Sequence, residues 1–436
     1  MKLLLLVLLC ATGLKSEDVK HKRTTTGDHI TNGINVGKAL ASAIADDNLD
    51  MPKKLADMAK QIAPLLGVLG PFVSFVVGFI PKGPTKEYLA IQQLHKDMDT
   101  RFDQINGKFH DVSKLIQWNT VRLQFSSVEQ TINNAYNRYT NMYKATTSRT
   151  IASEMHNFKN YRSTFGDSAL TLYNGIMGTN TVFGDELLPA SMKFTDYNRK
   201  QCARFMEGLL RLLLRAVEMD LAYLQLDSKT AASVPSHTTE WKRRLDSVRG
   251  KMLHADATIV SKYHEQSGKD IDRYSTDHPA SHMSDHDFAN NMYQSLATKY
   301  HWRDWMVIAY DDVSGDDKHY QRECGGYLKF RSNGRNIVVA SIEKTHSHAS
   351  STEAKSIINS VHDNDSVHLH RPHDHVVHRF VDARHAFDTF NSKAKSGCST
   401  YAAAGVVDNK ANPSYKAAAN RLYLKHAYYH YIHVFG

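Results

Sequence analysis

One segment constrains the fold of this 436-residue chain more than any other, because residues 61–81 contain no charged side chain in an otherwise polar and basic sequence. As a helix, these 21 residues would reach about 30 Å, the hydrocarbon thickness of a bilayer. Pro64 and Pro71 each remove a backbone donor, and three glycines weaken the helix further. Such breaks are unusual in a permanent membrane anchor. The segment therefore predicts either a central helix shielded by neighbours, the commoner case in soluble proteins, or an element stored in the soluble fold and released into a membrane.

If this segment inserts, its large apolar side chains are the ones that we expect to enter the bilayer. They are Leu65, Leu66, Val68, Leu69, Phe72, Val73, Phe75, Val76, Val77, Phe79 and Ile80. Lysines flank the segment on both sides, at Lys60 and Lys82, and can sit among lipid headgroups.

The amino terminus reads as a secretory signal peptide over residues 1–16, with a lysine, an apolar run and then small residues. The basic run Lys20–Arg23 that follows has two interpretations: the end of a short pro-segment, residues 17–23, or a solvated run of charges. Either way, we expect a secreted, extracellular protein.

Three of the four cysteines remain after removal of such a signal, and an oxidising compartment favours disulfides. Three cysteines cannot all pair within the chain. We prefer the pair Cys324 and Cys398, because both fall in one carboxy-terminal unit. Cys202 is then expected either to lie buried in a helix or to bridge to another chain.

A long amphipathic helix follows Pro84, since apolar residues recur at steps of three and four with charged residues between them. The stripe comprises Ile91, Leu94, Met98, Phe102, Ile105, Phe109, Val112 and Ile116. It continues, after a phase slip near Trp118, as far as Tyr143. The stripe fits a coiled-coil seam for assembly or, more commonly, a helix face turned towards a bundle in the same chain.

The fold class that we predict is α+β. Helical patterns extend to about residue 300, and the run Leu209–Leu214 is apolar on nearly every face, which is typical of the middle of a bundle. Strand patterns then begin near Trp305, and Asn333-Gly334 is a preferred hairpin turn. We therefore expect a helical bundle with a buried apolar helix over residues 24–300 and a smaller β-containing domain over residues 301–436, with a last strand near 428–435.

No phosphate-binding loop, nucleophile elbow or zinc-protease helix motif occurs in the sequence, so we expect no enzyme and no cofactor. Asp311, Asp312, Asp316 and Asp317 can in principle bind calcium. Their spacing does not match an EF-hand loop, however, and a solvated turn is the preferred interpretation.

Histidine is the unusual feature of the composition, with 25 in the chain and nine between His346 and His385. Four of them are candidate metal ligands: His368, His370, His373 and His375. Because no cysteine or glutamate accompanies them at fixed spacing, we predict no metal site. A response to pH through these imidazoles is a separate hypothesis.

The net charge of +9 makes anionic membranes or glycans plausible partners. An exported chain without a compact arginine-rich patch is not expected to bind nucleic acid.

The order of these segments resembles a known family. The resemblance rests on the apolar run from Pro64 to Ile80, the helix reaching Trp118, the stretch Leu123–Gln130, the motif Trp302–Trp305 and the stretch Asn333–Ser341. In these respects the chain is similar to the cnidarian toxins typified by box-jellyfish toxins, together with the related cephalotoxin-like and rapunzel-like secreted proteins. The dense histidine tract departs from this family pattern.

The resemblance implies a helical bundle similar to the pore-forming domain of bacterial insecticidal crystal toxins, attached to a β-rich targeting domain. It also implies a secreted cytolytic toxin, stored in a nematocyst, that binds lipids or glycans of target membranes, forms homo-oligomers and inserts helices to make pores. The family supplies no catalytic residues. The alternative is a non-lytic, rapunzel-like extracellular interaction protein whose apolar helix stays permanently buried.

Overall fold

The computed structural model describes residues 119–145, 147–179, 182–346, 351–359, 366–367, 377–378, 382–391, 401–427 and 429–436. Within this part, the chain divides into two compact units. The helical unit comprises the described residues up to 194 together with 201–256, and the sheet unit comprises residues 195–200 together with those from 257 onwards.

Seven α-helices build the described part of the helical unit. They are α1 (Asn119–Lys144), α2 (Ser148–Asn160), α3 (Arg162–Phe165), α4 (Ser168–Met177), α5 (Leu187–Phe194), α6 (Arg199–Leu226) and α7 (Val234–Ser261). Local signals set some of the ends. At the start of α2, the hydroxyls of Thr147 and Thr150 each accept a hydrogen bond from the other residue's backbone N–H. Gly178 ends α4 in the left-handed conformation, at φ 74°.

The helix α6 is the central element of this unit. Four of its leucines are fully buried: Leu209, Leu212, Leu213 and Leu221. Buried apolar residues also lie on the other faces of the helix. The sequence prediction that the run Leu209–Leu214 forms the middle of the bundle is confirmed.

The described part of the sheet unit contains four further α-helices and ten strands. In chain order these are α8 (Tyr263–Asp277), α9 (Asp285–Lys299), β1 (Arg303–Asp311), β2 (His319–Glu323), β3 (Gly326–Ser332), β4 (Arg335–Glu343), α10 (Ser351–Asn359), β5 (Ser366–Val367), β6 (Val377–His378), α11 (Ala383–Asn391), β7 (Ala403–Asp408), β8 (Ser414–Ala417), β9 (Leu422–Ala427) and β10 (His430–Phe435). Two four-stranded sheets have the orders β3-β4-β1-β8 and β2-β7-β10-β9, and β5 pairs with β6. All of these pairings are antiparallel.

These elements stack in four layers: helices, sheet, sheet, helices. Trp305 and Val339, on one face of the first sheet, pack with Phe288 of α9. The opposite face of the first sheet packs against the second sheet. The outer face of the second sheet packs against α10 and α11. A strand that is buried on both faces carries apolar side chains at consecutive positions, which explains the continuous apolar runs in β1 and β4.

The α+β prediction is confirmed. The strand predicted near Trp305 is β1, the last predicted strand is β10, and the hairpin turn lies between β3 and β4, with φ 53° at Asn333 and 85° at Gly334. The helices α8 and α9, which the sequence groups with the bundle, belong to the sheet unit and cover one face of its first sheet.

Candidate functional site: the central helix and an adjacent cavity

Most of the side chains predicted to act on membranes or metals lie outside the described residues. These are the insertion residues from Leu65 to Ile80, the stripe from Ile91 to Ile116, the histidines His368, His370, His373 and His375, and Cys398. Their roles, and the pairing of Cys324 with Cys398, stay predictions. Cys202 lies buried in α6, which agrees with one of the two expectations for it. Its Sγ lies 3.8 Å from the carbonyl oxygen of Ser191.

The carboxy-terminal part of the amphipathic stripe falls in α1, where it can be followed. Phe125, Ile132 and Tyr139 are fully buried. The ring of Phe125 lies 5.9 Å from that of Phe183 and 6.4 Å from that of Phe205 on α6. In α1 the stripe therefore faces the helical unit of its own chain, which supports the bundle interpretation over an assembly seam.

Asp220 and Arg215 are two of the polar side chains on α6, and both have partners on neighbouring helices. The carboxylate of Asp220 accepts from Arg162 Nη1 at 2.7 Å and from Trp241 Nε1 at 3.3 Å. Arg215 donates to Asn133 Oδ1 of α1 at 3.3 Å and lies over the Tyr136 ring. These half-buried contacts link α6 to α1, α3 and α7 by polar groups as well as by apolar packing.

A cavity of about 430 Å³ opens beside Asp220, within the helical unit. Its floor is apolar and includes Ala169, Leu224 and Trp241, all of which are buried. The other lining residues are Arg162, Gly166, Asp167, Leu170, Asp220, Ser236, His237, Glu240 and Arg244. The volume falls in the lower part of the range that small-molecule sites occupy.

Two guanidinium groups of this cavity are held against aromatic rings. Arg162 lies 5.1 Å from the centre of the Phe165 ring and 4.8 Å from that of Tyr223. Arg244 lies 4.9 Å from the centre of the Trp241 ring, and its Nε is 3.1 Å from Glu240 Oε1. Ring contacts take up the faces of a guanidinium and leave its in-plane N–H groups for hydrogen bonds.

The charged side chains at the cavity are arranged in ion pairs. Arg162 pairs with Asp220. Glu240 accepts from Nε and Nη2 of Arg243 and also lies 3.1 Å from Nε of Arg244. Asp167 precedes α4, but its side chain makes no capping hydrogen bond to that helix. The cavity thus combines two guanidiniums held against rings, carboxylates that pair with arginines, and an apolar floor, with the exposed Asp167 at its rim.

The sheet unit contains a second polar arrangement, inside its sandwich. His433 is fully buried, and its Nε2 donates to Gln321 Oε1 at 2.8 Å. Gln321, Gly405 and His433 lie in one row across β2, β7 and β10. Because Gly405 has no side chain, Gln321 can lie over it and reach two strands away; a Cβ there would fall 1.9 Å from Gln321 Oε1. Burial lowers the pKa of His433 from 6.5 to about 3.

The four clustered aspartates of the sheet unit have polar or basic partners. Asp311 accepts from Asn412, Asp312 lies near Arg331, Asp316 near Arg384, and Asp317 near Lys318. The described residues contain no group of three or more His, Cys, Asp or Glu side chains that could hold a metal ion. These carboxylates thus have side-chain partners within the same unit, and the solvated-turn interpretation stays a prediction.

Sequence reasoning did not identify the cavity or the buried histidine row. A signal for the first was present, since Asp220 sits in an apolar helix between Met219 and Leu221 and must find a partner. Which residue supplies that partner depends on α3 and α7, which are distant in sequence. None of the helices in the described part of the chain combines the length and apolar character that crossing a membrane requires.

Part of the helical region matches a known family. Residues 81–281 match the model of the cephalotoxin-like middle helical domain, which covers somewhat less than half of the chain. No curated protein and no solved structure matches. The match confirms the predicted resemblance to cephalotoxin-like proteins and makes the chain similar to a toxin family over that region. The matched range begins at Pro81, where the charge-free segment ends.

Proposed function

We propose that this chain, which carries a cephalotoxin-like middle helical domain, is a secreted, non-enzymatic cytolytic protein that binds target membranes and inserts residues 61–81. The observation that carries the proposal is the position of the charge-free segment, which directly precedes a matched domain built around a buried apolar helix. Several copies of the chain would then assemble on the membrane and form a pore.

The physical basis is an exchange of one apolar environment for another. An apolar segment that leaves its bundle for lipid stays out of water, so a modest gain of interface energy at the membrane can shift the equilibrium. Pro64 and Pro71 divide the segment into short pieces, which eases its rearrangement. Basic residues and the sheet unit would bring the protein to anionic lipids or glycans.

A second candidate function is a non-lytic extracellular interaction protein in which residues 61–81 never leave the bundle. The burial of α6 on nearly every face and of the α1 stripe favours this candidate, because both apolar surfaces are covered by residues of the same chain. Dye release from receptor-free liposomes by the purified mature protein separates the two functions.

The insertion step has a direct test with a matched control. In Val73→Asp/Val76→Asp, two carboxylates would have to enter the bilayer, so dye release should be lost while secretion continues. Val73→Leu/Val76→Leu keeps the segment apolar and should release dye like the natural protein. Circular dichroism of both variants checks the fold. Full release by a folded aspartate variant would refute insertion of this segment.

A further inference from the structure

We propose that the edge strand β9 is an interaction surface for a second copy of this chain. The two β9 strands would pair in an antiparallel, two-fold arrangement centred on Leu424 and join two four-stranded sheets into one. This contact goes beyond the membrane activity proposed above and does not depend on it.

The strand β9 lies at one edge of the second sheet, which has the order β2-β7-β10-β9. All six of its residues pair with β10 on one side. On the opposite side, no other strand in the described part of the chain pairs with it. The backbone N–H and C=O groups of an edge strand that point away from its sheet can hydrogen-bond to a further strand. β9 therefore offers backbone donors and acceptors to an extended segment of another chain.

The edges of the two sheets differ in how well they are protected. Proteins discourage edge pairing with bulges, short strands, prolines and charges. The pairing of β3 with β4 is irregular, β8 has only four residues and follows Pro413, and β2 carries the exposed Arg322. In β9 the pairing is regular over six residues, its one charged residue is Lys425, and the side chain of Leu424 is 47% exposed. Of the described edges, β9 is thus the one best suited to pair.

The charges of β9 select one register for a pair of identical strands. In a continuous sheet, directly opposite residues point to the same face, so the two-fold axis has to pass beside one residue. An axis at Lys425 would place two lysines opposite each other, and an axis at Tyr423 would place Lys425 opposite Arg421. Like charges that lie directly opposite are destabilising. An axis at Leu424 avoids both arrangements.

With the axis at Leu424, the opposite side chains complement each other. The two Leu424 side chains meet, which removes apolar surface from water. Tyr423 lies opposite Lys425 of the other copy, so an aromatic ring faces an ammonium group. Leu422 lies opposite His426, whose ring stacks on that of Tyr431 at 4.6 Å. Because each copy has a single β9, this pairing closes with two copies and predicts a dimer.

The first test is sedimentation equilibrium of the mature chain without membranes. One pair of strands buries less than the roughly 1,200 Å² of a standard interface, so we expect a dissociation constant on the order of 100 μM. Concentrations that span this constant should show monomers and dimers. Leu424→Lys should weaken dimerisation at least tenfold, because two added charges would face each other.

The matched control is Leu123→Lys, which makes the same change at a 77% exposed leucine of α1 and should leave dimerisation unchanged. Circular dichroism checks the fold of both lysine variants. Monomers at every concentration, or equal effects of the two variants, would overturn the proposal.

Cross-linking tests the register. In Leu424→Cys the two substituted positions would lie directly opposite, with Cα atoms about 4.5–5.5 Å apart, within the range of a disulfide. In His426→Cys they would lie more than about 10 Å apart, since position 426 faces position 422. Mild oxidation should therefore link Leu424→Cys into dimers at least tenfold faster than His426→Cys, and equal rates would overturn the two-fold register. Because neither experiment uses vesicles, failure of dye release would leave both results intact.

Discussion

Acidification should weaken the sheet unit, because His433 is buried in its sandwich as a neutral imidazole. Nε2–H donates to Gln321 Oε1, and Nδ1 lies 3.4 Å from the hydroxyl of Tyr415. These neighbours are neutral, and burial alone lowers the pKa of His433 to about 3. A proton on this ring would place a charge between the two sheets without a carboxylate to balance it.

The sign and size follow from linkage. The unfolded chain takes up a proton at His433 below its ordinary pKa of 6.5, whereas the folded chain does so only near pH 3. The unfolded state therefore binds more protons between these values, and stability falls as the pH falls through this window. At pH 5 the loss relative to neutral pH is about 2 kcal/mol, at about 1.4 kcal/mol for each pH unit. Burial also lowers the pKa of His319, which adds to the loss in the same direction.

The assay compares the natural chain with His433→Gln, which keeps a donor for Gln321 but does not titrate. Hydrogen exchange of the amides in β10 reports the local free energy of opening at pH 7.5 and pH 5. Between these two pH values, the opening free energy of the natural chain should fall by about 2 kcal/mol more than that of His433→Gln. The exposed His426 of β9 serves as a control, since His426→Gln should respond to pH like the natural chain. Equal losses in the natural chain and His433→Gln would refute the reasoning.

Two further predictions concern close packing at Gly405 and a half-buried ion pair at Asp220. Gly405→Ala should lower the free energy of unfolding, measured in urea titrations, by about 1–3 kcal/mol, because the new Cβ would displace Gln321. The control is Gly250→Ala in α7, where a new Cβ meets no atom within 4 Å. This variant should be as stable as the natural chain or more stable. A Gly405 variant as stable as the natural chain would contradict the close approach. Asp220→Asn should lower the unfolding free energy of the helical unit by about 1–3 kcal/mol, because the ion pair with Arg162 is lost. The control is Asp246→Asn, at a side chain that is 61% exposed, which should change this free energy by less than about 0.5 kcal/mol. Similar effects of both substitutions would show that the Arg162 pair adds no stability.

Local patterns predicted several individual elements, and α9 is an example. Ser284 begins α9 as its cap, accepting from the N–H of Asp287 at 3.1 Å, and the apolar positions Phe288, Met292 and Leu296 that predict this helix are buried. The turn at Asn333-Gly334 follows from the ease with which these residues adopt positive φ. Such features depend on a few neighbouring residues, so they can be read without knowing the rest of the fold.

The partners of these elements could not be read in the same way. The apolar face of α9 fits a helical bundle as well as a sheet, and only the structure shows that it packs on β1 and β4. Likewise, nothing near Gly405 in sequence indicates that Gln321 passes over it to His433.

The sequence by itself determined that α1, α6 and α9 are helices, that β1, β4 and β10 are strands, and that a charge-free stretch of 21 residues must be kept from water. The helices α10 and α11 and the strands β7, β8 and β9 were not predicted from it. The tertiary structure alone decided that α8 and α9 cover a sheet, that four helices enclose a charged cavity, and that one histidine is sealed between two sheets. The physical reason is that periodicity and turn chemistry act over a few residues, whereas the identity of a buried partner depends on contacts between segments far apart in the chain.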